Sequence, residues 1–291
     1  MIIDAHQHFW DLARGDYRWL MPAAGVLYRN FLPTDLAEAL RANKVDATIL
    51  VQAAATESET HYLLALAHAH SFIAGVVGWV DLEALDAPRR IEALTHAGGG
   101  KLKGVRPMVQ DIEDSEWLLR PSLDAAFDAL IANELAFDAL VRPVHFEPLR
   151  KRLLRHPRLR AVLDHAGKPD IALGEYDGWA RDLARLADDT PLQCKLSGLL
   201  TQAGHASYAA KASRLATQSS CELLLPYVAH LIDAFGAERV MWGSDWPVLN
   251  AVSEYGAWLE VSYDLVRRFA PGHIDEIFGT NAHRFYQLGR L

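Results

Sequence analysis

The sequence has 291 residues, of which 51% are hydrophobic and 23% are charged, and its formal net charge is −8 at pH 7. A chain of this length buries a large core, and its acidic balance with scattered basic residues argues against a nucleic-acid partner and against binding to a membrane surface. Only two cysteines occur, which excludes a disulfide framework, and neither a signal peptide nor a membrane-spanning run is visible. We therefore expect a cytoplasmic protein that acts on a small molecule.

Short apolar runs alternate along the chain with segments in which apolar residues recur every three or four positions. No linker or charge run divides the sequence, so we expect a single domain over residues 1–291. Eight strands joined by crossover helices predict an α/β fold, a distorted TIM (β/α)8 barrel with extra C-terminal helices. The predicted strands are residues 1–5, 46–53, 73–80, 102–107, 137–144, 160–165, 192–196 and 239–243. The predicted extra helices are residues 254–269, 274–278 and 281–288, with Gly279 as a stop between the last two.

The first predicted strand carries two histidines, His6 and His8, in Asp-Ala-His-Gln-His. Because side chains alternate along a strand, both rings lie on the same face, with their Cα atoms about 6.5 Å apart. The two rings are therefore close enough to share a metal ion or a carbonyl oxygen.

A long connection follows this strand. Residues 9–33 carry Trp10, Trp19 and Tyr28 among other aromatic residues, without clear periodicity. Long connections in compact domains are often functional, so we interpret this one as a candidate lid over the site. The alternative is that its aromatic residues plug the barrel mouth or form an oligomer contact.

Polar residues follow most of the other predicted strands, and the C-terminal strand ends form the active face of a (β/α)8 barrel. The last strand leads into Gly-Ser-Asp-Trp-Pro, and we interpret Asp245 as the proton-transfer residue. Arg106 precedes a proline, which fixes the direction of a guanidinium that can donate two parallel hydrogen bonds. Trp10 and Trp246 offer flat apolar faces to a cyclic substrate, with core packing as the alternative. The other candidate substrate contacts are Gln52, Lys103, His145, Lys168, Trp19 and Tyr28.

Three of these strand-end residues leave alternatives open. His145 is either a ligand or substrate contact, or a rim residue held by hydrogen bonds. Lys195 lies near the end of the seventh predicted strand, and Ser197 follows that strand. Each is either a substrate contact or part of a solvated rim where the strand ends, and we favour the solvated rim.

Five motifs occur in order along nearly the whole chain: Asp-Ala-His-Gln-His-Phe-Trp-Asp, Lys-Gly-Val-Arg-Pro, Leu-Asp-His-Ala-Gly-Lys-Pro, Gly-Ser-Asp-Trp-Pro and Asn-Ala-His-Arg-Phe-Tyr. Together they resemble the amidohydrolase superfamily. More narrowly, they are similar to its sugar-lactone branch, with L-fuconolactonase-like and L-rhamnonolactonase-like enzymes and the related 2-pyrone-4,6-dicarboxylate lactonases. The resemblance implies a hydrolase acting on a carboxylic ester, with His6, His8, His165 and Asp245 around the scissile carbonyl.

The substrate that this resemblance implies is a sugar-acid lactone, L-fucono-lactone or a similar aldonolactone, which is opened to the free acid in a step of L-fucose degradation. Asp245 would activate water and then protonate the leaving ring oxygen. The residues His6, His8, His165 and Asp245 can also hold one divalent metal ion such as Zn²⁺, which activity need not require. The alternatives are a metal-dependent nonoxidative decarboxylase of the same superfamily and a noncatalytic sugar-acid binding protein. A homo-oligomer stays open in each case.

Overall fold

In the computed structural model, which describes residues 1–204 and 217–290, eight parallel strands form one sheet in chain order. They are β1 (Ile3–Gln7), β2 (Ala47–Val51), β3 (Ile73–Gly78), β4 (Leu102–Val105), β5 (Ala136–Ala139), β6 (Ala161–Leu163), β7 (Gln193–Leu196) and β8 (Val240–Trp242). Each predicted apolar run contains or overlaps one of these strands, so the distorted (β/α)8 barrel is confirmed. His205, one of the histidines that the motifs do not include, lies outside the described residues.

Helices follow the strands and pack around the sheet. They are α1 (Pro33–Ala42), α2 (Glu57–Ala69), α3 (Ala87–Ala97), α4 (Asp124–Ala132), α5 (Phe146–Arg155), α6 (Asp177–Asp189), α7 (Leu199–Ala203), α8 (Thr217–Phe235), α9 (Tyr255–Phe269) and α10 (Asn281–Phe285). The predicted extra helix at 254–269 is confirmed as α9. Among the residues that the structure describes, no helix combines the length and the apolar character needed to cross a membrane.

The two ends of the sheet meet next to the histidine pair. The backbone N–H of Asp245 donates to the carbonyl of His6 at 2.8 Å, and the N–H of His8 donates to the carbonyl of Trp246 at 2.7 Å. Asp4 reinforces this junction, because its carboxylate accepts from the Ser244 N–H at 2.8 Å. Barrel closure therefore places the residues that follow β8 directly beside those of β1.

The C-terminal segment covers the opposite end of the barrel. A π-helical turn, Glu276–Thr280, runs directly into α10, so the prediction of a helix stop at Gly279 is wrong. A Cβ at Gly279 would lie 2.3 Å from the carbonyl oxygen of Met1, which explains the glycine by close backbone approach. Lys103 belongs to this end as well, since its ammonium donates to the carbonyl of Gln287 at 3.1 Å.

The connection between β1 and α1 is held by aromatic packing. Trp10 is completely buried, its indole N–H donates to the carbonyl of Arg29 at 2.8 Å, and its ring meets those of Trp19 and Phe31 at 5.3 Å. Trp246 packs edge-on against Phe31 at 5.3 Å. The rings of Trp10 and Trp246 are thus packed into the protein, as the alternative of core packing anticipates.

The start of the loop after β2 is held by one buried carboxylate. Glu59, in the first turn of α2, accepts from the backbone N–H groups of Ala53 at 3.0 Å and Ala54 at 2.7 Å. Burial raises the pKa of Glu59 from its usual 4.5 to about 7, although these two hydrogen bonds oppose the shift.

This raised pKa predicts a pH-dependent stability. Between about pH 4.5 and pH 7 the folded protein holds a proton on Glu59 that the unfolded chain releases, so the free energy of unfolding falls as the pH rises through this window. We expect Glu59→Gln to remove a fall on the order of 3 kcal/mol, measured by urea unfolding of both proteins across that range. An identical pH dependence in the variant would contradict a protonated Glu59.

Candidate active site

Four predicted catalytic side chains converge at the C-terminal ends of the strands. His6 Nε2 lies 3.2 Å from His8 Nε2, and His8 Nε2 lies 3.4 Å from Asp245 Oδ1. The Nε2 atoms of His6 and His165 each lie 3.9 Å from the same carboxylate oxygen. All four residues are buried. The structure therefore brings together His6, His8, His165 and Asp245 as the motifs predict.

His165 lies on an unusual piece of backbone after β6. Residues 165–168 all have positive φ values, between 52° and 69°. For a non-glycine residue this left-handed conformation costs about 1–2 kcal/mol, so the surrounding contacts have to maintain it. The Trp179 indole N–H donates to the carbonyl of Ala166 at 2.8 Å, and a Cβ at Gly167 would lie 2.3 Å from the Phe146 ring. This turn directs both His165 and Lys168 towards the mouth of the barrel.

The ring of His165 is fixed from β7. Its Nδ1 lies 2.9 Å from the hydroxyl oxygen of Ser197, and the Gly198 backbone lies against the ring so closely that a Cβ there would be 2.6 Å from Nδ1. Burial lowers the pKa of His165 to about 4, although Asp245 and Asp164 oppose the shift. His165 is therefore neutral at pH 7.

His8 is oriented by a backbone carbonyl. Its Nδ1 lies 2.8 Å from the carbonyl oxygen of Val51, and a carbonyl can only accept, so Nδ1 carries a hydrogen. The other ring nitrogen, Nε2, faces Asp245.

Asp245 also has a left-handed backbone, with φ at 59°. Burial alone would raise its pKa, but the surrounding rings of His165, His8 and His6 lower it below the ordinary range. Asp245 is therefore a carboxylate at pH 7, and on its own it is a weak base. A reaction that relies on it needs additional polarisation of the carbonyl group.

Arg106 is held by the protein on both edges of its guanidinium. Nη1 donates to Asp164 Oδ2 at 3.2 Å and lies 3.3 Å from His6 Nε2, while Nη2 donates to Gln52. Gln52 in turn donates to the carbonyl of Arg106 at 2.8 Å. Both polar atoms of the Gln52 side chain thus contact Arg106, so Gln52 supports the arginine. Arg106 Nε is a buried donor that has no hydrogen-bond partner among the described residues.

Lys168 remains at the mouth, where its ammonium donates to Gln110 Oε1. Burial lowers its pKa to about 8, with Asp245 opposing and Arg106 adding to the effect. His145 is buried, and its Nδ1 accepts from the backbone N–H of Arg142 at 3.1 Å. This contact supports the interpretation of His145 as a residue held by hydrogen bonds.

Several other candidates lie elsewhere. Lys103 is at the opposite end of the barrel because it occupies an early position in β4, so it does not join the catalytic group. Trp10 and Trp246 are buried among aromatic rings, whereas Trp19 and Tyr28 are 43% and 44% exposed. The indole N–H of Trp19 donates to the carbonyl of Ala53 at 2.8 Å, which places this ring beside the loop after β2.

The expectation of a solvated rim for Lys195 and Ser197 is wrong, because both are fully buried and contact His6 and His165, respectively. Sequence reasoning also missed Asp138, which lies in β5 and forms an ion pair with Lys195 at 2.6 Å. The available signal was a charged residue at an inward position within each of two apolar strands. A lone charge inside a barrel has to be paired.

The site can hold one divalent metal ion. His6, His165 and Asp245 each offer a ligand atom, and these atoms lie within 4.8 Å of one another. His8 Nε2 faces the same point, and the hydrogen bond of its Nδ1 to a carbonyl is typical of metal-binding histidines. Imidazole nitrogens and one carboxylate suit Zn²⁺, so these residues fit the ion that the sequence implies.

A (β/α)8 barrel with three histidines and an aspartate at its strand ends defines a hydrolase of the amidohydrolase type. The chain belongs to the Amidohydrolase family, whose profile matches residues 3–288. It is 43% identical to L-fucono-1,5-lactonase of Burkholderia ambifaria, over 99% of this chain and 96% of that protein. It is 37% identical to L-fucono-1,5-lactonase of Burkholderia multivorans, over 98% and 96% of the two chains. A crystal structure of an amidohydrolase from Burkholderia multivorans with bound zinc superimposes with a TM-score of 0.90, at 34% identity, over 99% and 100% of the two chains.

Proposed function

We propose that this chain is a lactonase that hydrolyses a sugar-acid lactone, L-fucono-lactone or a similar aldonolactone, to the open-chain acid. The observation that carries the proposal is the convergence of the Asp245 carboxylate with three imidazoles, at 3.4 to 3.9 Å from its Oδ1. A base beside a set of carbonyl-polarising groups is what ester hydrolysis requires. The 43% identity to L-fucono-1,5-lactonase of Burkholderia ambifaria supports a sugar lactone as the substrate.

In the proposed reaction, Asp245 takes a proton from water while the water oxygen bonds to the lactone carbonyl carbon. The carbonyl oxygen becomes an oxyanion, which His6 and the Arg106 guanidinium stabilise. The bond between this carbon and the ring oxygen then breaks, and protonated Asp245 returns its proton to the leaving oxygen. The product carries a free carboxyl group and a new hydroxyl group, so all atoms of the water are used.

The remaining candidates give the substrate its contacts in this proposal. Lys168 lies at the mouth with a polar ammonium, and its position beside Asp245 suits a hydroxyl of the sugar or the carboxylate of the product. Trp19 and Tyr28 have exposed ring surface that suits the C–H face of a sugar. Gln52 acts through Arg106.

Zn²⁺ would be held by His6, His8, His165 and Asp245, and when bound it would supply polarisation of the carbonyl or acidification of the water. We propose that the enzyme works in the cytoplasm, where its two buried free cysteines are stable without a disulfide. Its partner in this proposal is the lactone alone, with no nucleic acid or membrane, and a homo-oligomer stays a prediction.

The test is a pH-indicator assay of the purified protein against aldono-1,4-lactones and aldono-1,5-lactones, before and after exhaustive chelation. We expect acid release from L-fucono-lactone or a close stereoisomer above the spontaneous rate. Activity that survives chelation shows that the histidines act directly, and activity restored only by Zn²⁺ makes them ligands. If no lactone of the panel releases acid with metal present, the proposed lactonase function is wrong. Release of CO₂ from an aromatic acid would then indicate the decarboxylase, and no such release would indicate the binding protein.

A further inference from the structure

A large cavity opens at the same end of the barrel as the proposed catalytic group. Its volume is about 810 Å³, within the range of about 300–1,000 Å³ that small-molecule sites occupy. Three segments line it, and each follows the C-terminal end of a strand: residues 142–144 after β5, several residues between 168 and 182 after β6, and Gln202 after β7. The cavity is therefore part of the mouth of the barrel.

Lys168 and Gln202 connect this cavity to the catalytic group. Lys168 is the last residue of the left-handed turn that begins at His165, and three peptide units limit the distance between their Cα atoms to about 11 Å. Gln202 lies one helical turn after Gly198, whose backbone packs against the ring of His165, and its N–H donates to the Gly198 carbonyl at 3.1 Å. A ligand that reaches Asp245 with one end can therefore place its other end in the cavity.

Arg142 brings an unpaired guanidinium to this space. Within the described part of the chain, its side chain has no hydrogen-bond or ion-pair partner. Its backbone N–H donates to His145 Nδ1 at 3.1 Å, and its carbonyl accepts from the His145 N–H at 2.8 Å, so the main chain is fixed while the side chain is available. Arg142 and Lys168 thus offer two groups of hydrogen-bond donors to the same cavity.

The described lining carries charges of both signs. Besides these two cations it has four acidic side chains, Asp170, Glu175, Asp177 and Asp182. This excess of carboxylates opposes the binding of a dicarboxylate. A hydroxyl group suits both kinds of side chain, because it donates to a carboxylate and accepts from an ammonium or a guanidinium.

Two aromatic residues complete the cavity. The rings of Tyr176 and Trp179 lie 5.8 Å apart, and both residues line the space. The Trp179 indole N–H already donates to the carbonyl of Ala166 at 2.8 Å, so this residue offers the cavity apolar ring surface. Such surface suits the C–H groups of a polyhydroxylated molecule, whose hydroxyl groups are left to the polar side chains.

We propose that this cavity receives the hydroxyl groups of the substrate that lie furthest from the scissile carbonyl, and that Arg142 selects hydroxylated lactones by donating to these groups. Lys168 is the second donor, on the side of Asp245. The ligand class is an uncharged polyhydroxylated molecule. The selection among lactones rests on the proposed lactonase function, whereas the binding of a polyhydroxylated molecule in the cavity does not.

The first test combines a variant with a truncated substrate. Arg142→Met keeps the apolar length of the side chain and removes its donors, and it breaks no side-chain hydrogen bond or ion pair within the described chain. We expect kcat/KM for the best hydroxylated lactone to fall about tenfold, mainly through KM, because a hydrogen bond to a charged group is lost. For δ-valerolactone, a lactone ring without hydroxyl groups, we expect a change below about twofold.

The control is Arg158→Met, which makes the same change at an exposed position before β6, at the opposite end of the barrel. It should leave both values unchanged. If δ-valerolactone reacts too slowly to be measured, its inhibition constant against the hydroxylated lactone replaces the rate. Equal losses on both lactones in Arg142→Met, or no loss on the hydroxylated lactone, would overturn the role of Arg142.

The second test fills the cavity. Gly178, in the first turn of α6, lines it, and a Cβ there would meet no atom of the described residues within 4 Å. Gly178→Leu is expected to raise Tm, because leucine is the better helix former, and yet to lower kcat/KM for the hydroxylated lactone at least about fivefold. Gly272→Leu, at a similarly open glycine outside the cavity, should keep the rate. An unchanged rate in Gly178→Leu would show that the substrate does not enter the cavity.

The third test needs no catalysis. L-Fucitol, an uncharged open-chain polyol, is titrated into ¹⁵N-labelled protein and followed by NMR. We expect binding by the wild type and a Kd raised at least about threefold in Arg142→Met. No binding by the wild type, or equal binding by both proteins, would overturn the subsite even if lactones are hydrolysed. Binding that depends on Arg142 in a protein that opens no lactone would keep the subsite and remove the proposed lactonase function.

Discussion

Replacement of Asp245 by asparagine is expected to lower kcat for lactone hydrolysis by at least about 10³-fold while the protein stays folded. The amide has the size of the carboxylate but cannot take a proton from water or return one to the leaving oxygen. Asparagine also tolerates the positive φ of this position, so the backbone is not disturbed. The rate is measured with the best lactone of the panel, and folding is measured by circular dichroism and thermal unfolding.

The control for this variant is Asp188→Asn, which makes the same chemical change at an exposed position of α6. It should retain the wild-type rate. If Asp245→Asn also retained a rate within tenfold of the wild type, Asp245 would not be the base and the proposed proton path would be wrong.

Gly198→Ala is expected to lower kcat by about 10²-fold, because it displaces a catalytic ring without removing any functional group. A Cβ at this position would lie 2.6 to 3.0 Å from three atoms of His165. The ring then has to move off the Ser197 hydroxyl and away from its position beside Asp245. The effect is measured as kcat on the same lactone, and the environment of His165 is followed by NMR.

The left-handed backbone of Gly198, with φ at 66°, makes alanine unfavourable even without the ring. Gly100→Ala serves as the control. Gly100 also has a positive φ, 85°, but a Cβ there would meet no atom of residues 1–204 or 217–290 within 4 Å. Both variants should lose stability because of the positive φ, Gly198→Ala more so because of its contact with His165, and only Gly198→Ala should lose activity. Equal kcat values for the two variants would show that the contact with His165 does not matter.

The barrel could be predicted because buried parallel strands are almost continuously apolar. β2 and β3, for instance, have hydrophobic or small residues at nearly every position, and each is bounded by turn or helix signals. The positions at which the strands end could not be predicted to the residue, and for this reason Lys103 was wrongly placed among the substrate contacts. It precedes the end of β4 by two residues, which is enough to place its ammonium at the far end of the barrel.

The sequence also predicted the grouping of the proposed catalytic residues, since His6 and His8 share a strand face and His165 and Asp245 follow apolar strands. The packing of Trp10 and Trp246 was not, because an aromatic residue suits a sugar contact and a core equally well. The roles of Lys195 and Asp138 required the structure. Their pairing joins two strands that are distant in sequence, and a single sequence contains no signal for such a contact.

The closure of the barrel joins Asp4 to Ser244 across 240 positions of the sequence. During synthesis His6 and His8 are made long before Asp245, and the proposed proton-transfer residue is absent until the segment after β8 has been made. Contacts of such separation are expected to form late in folding. A nascent or partly folded chain is therefore expected to have no partial activity, because the four side chains of the proposed site come together only when the barrel closes.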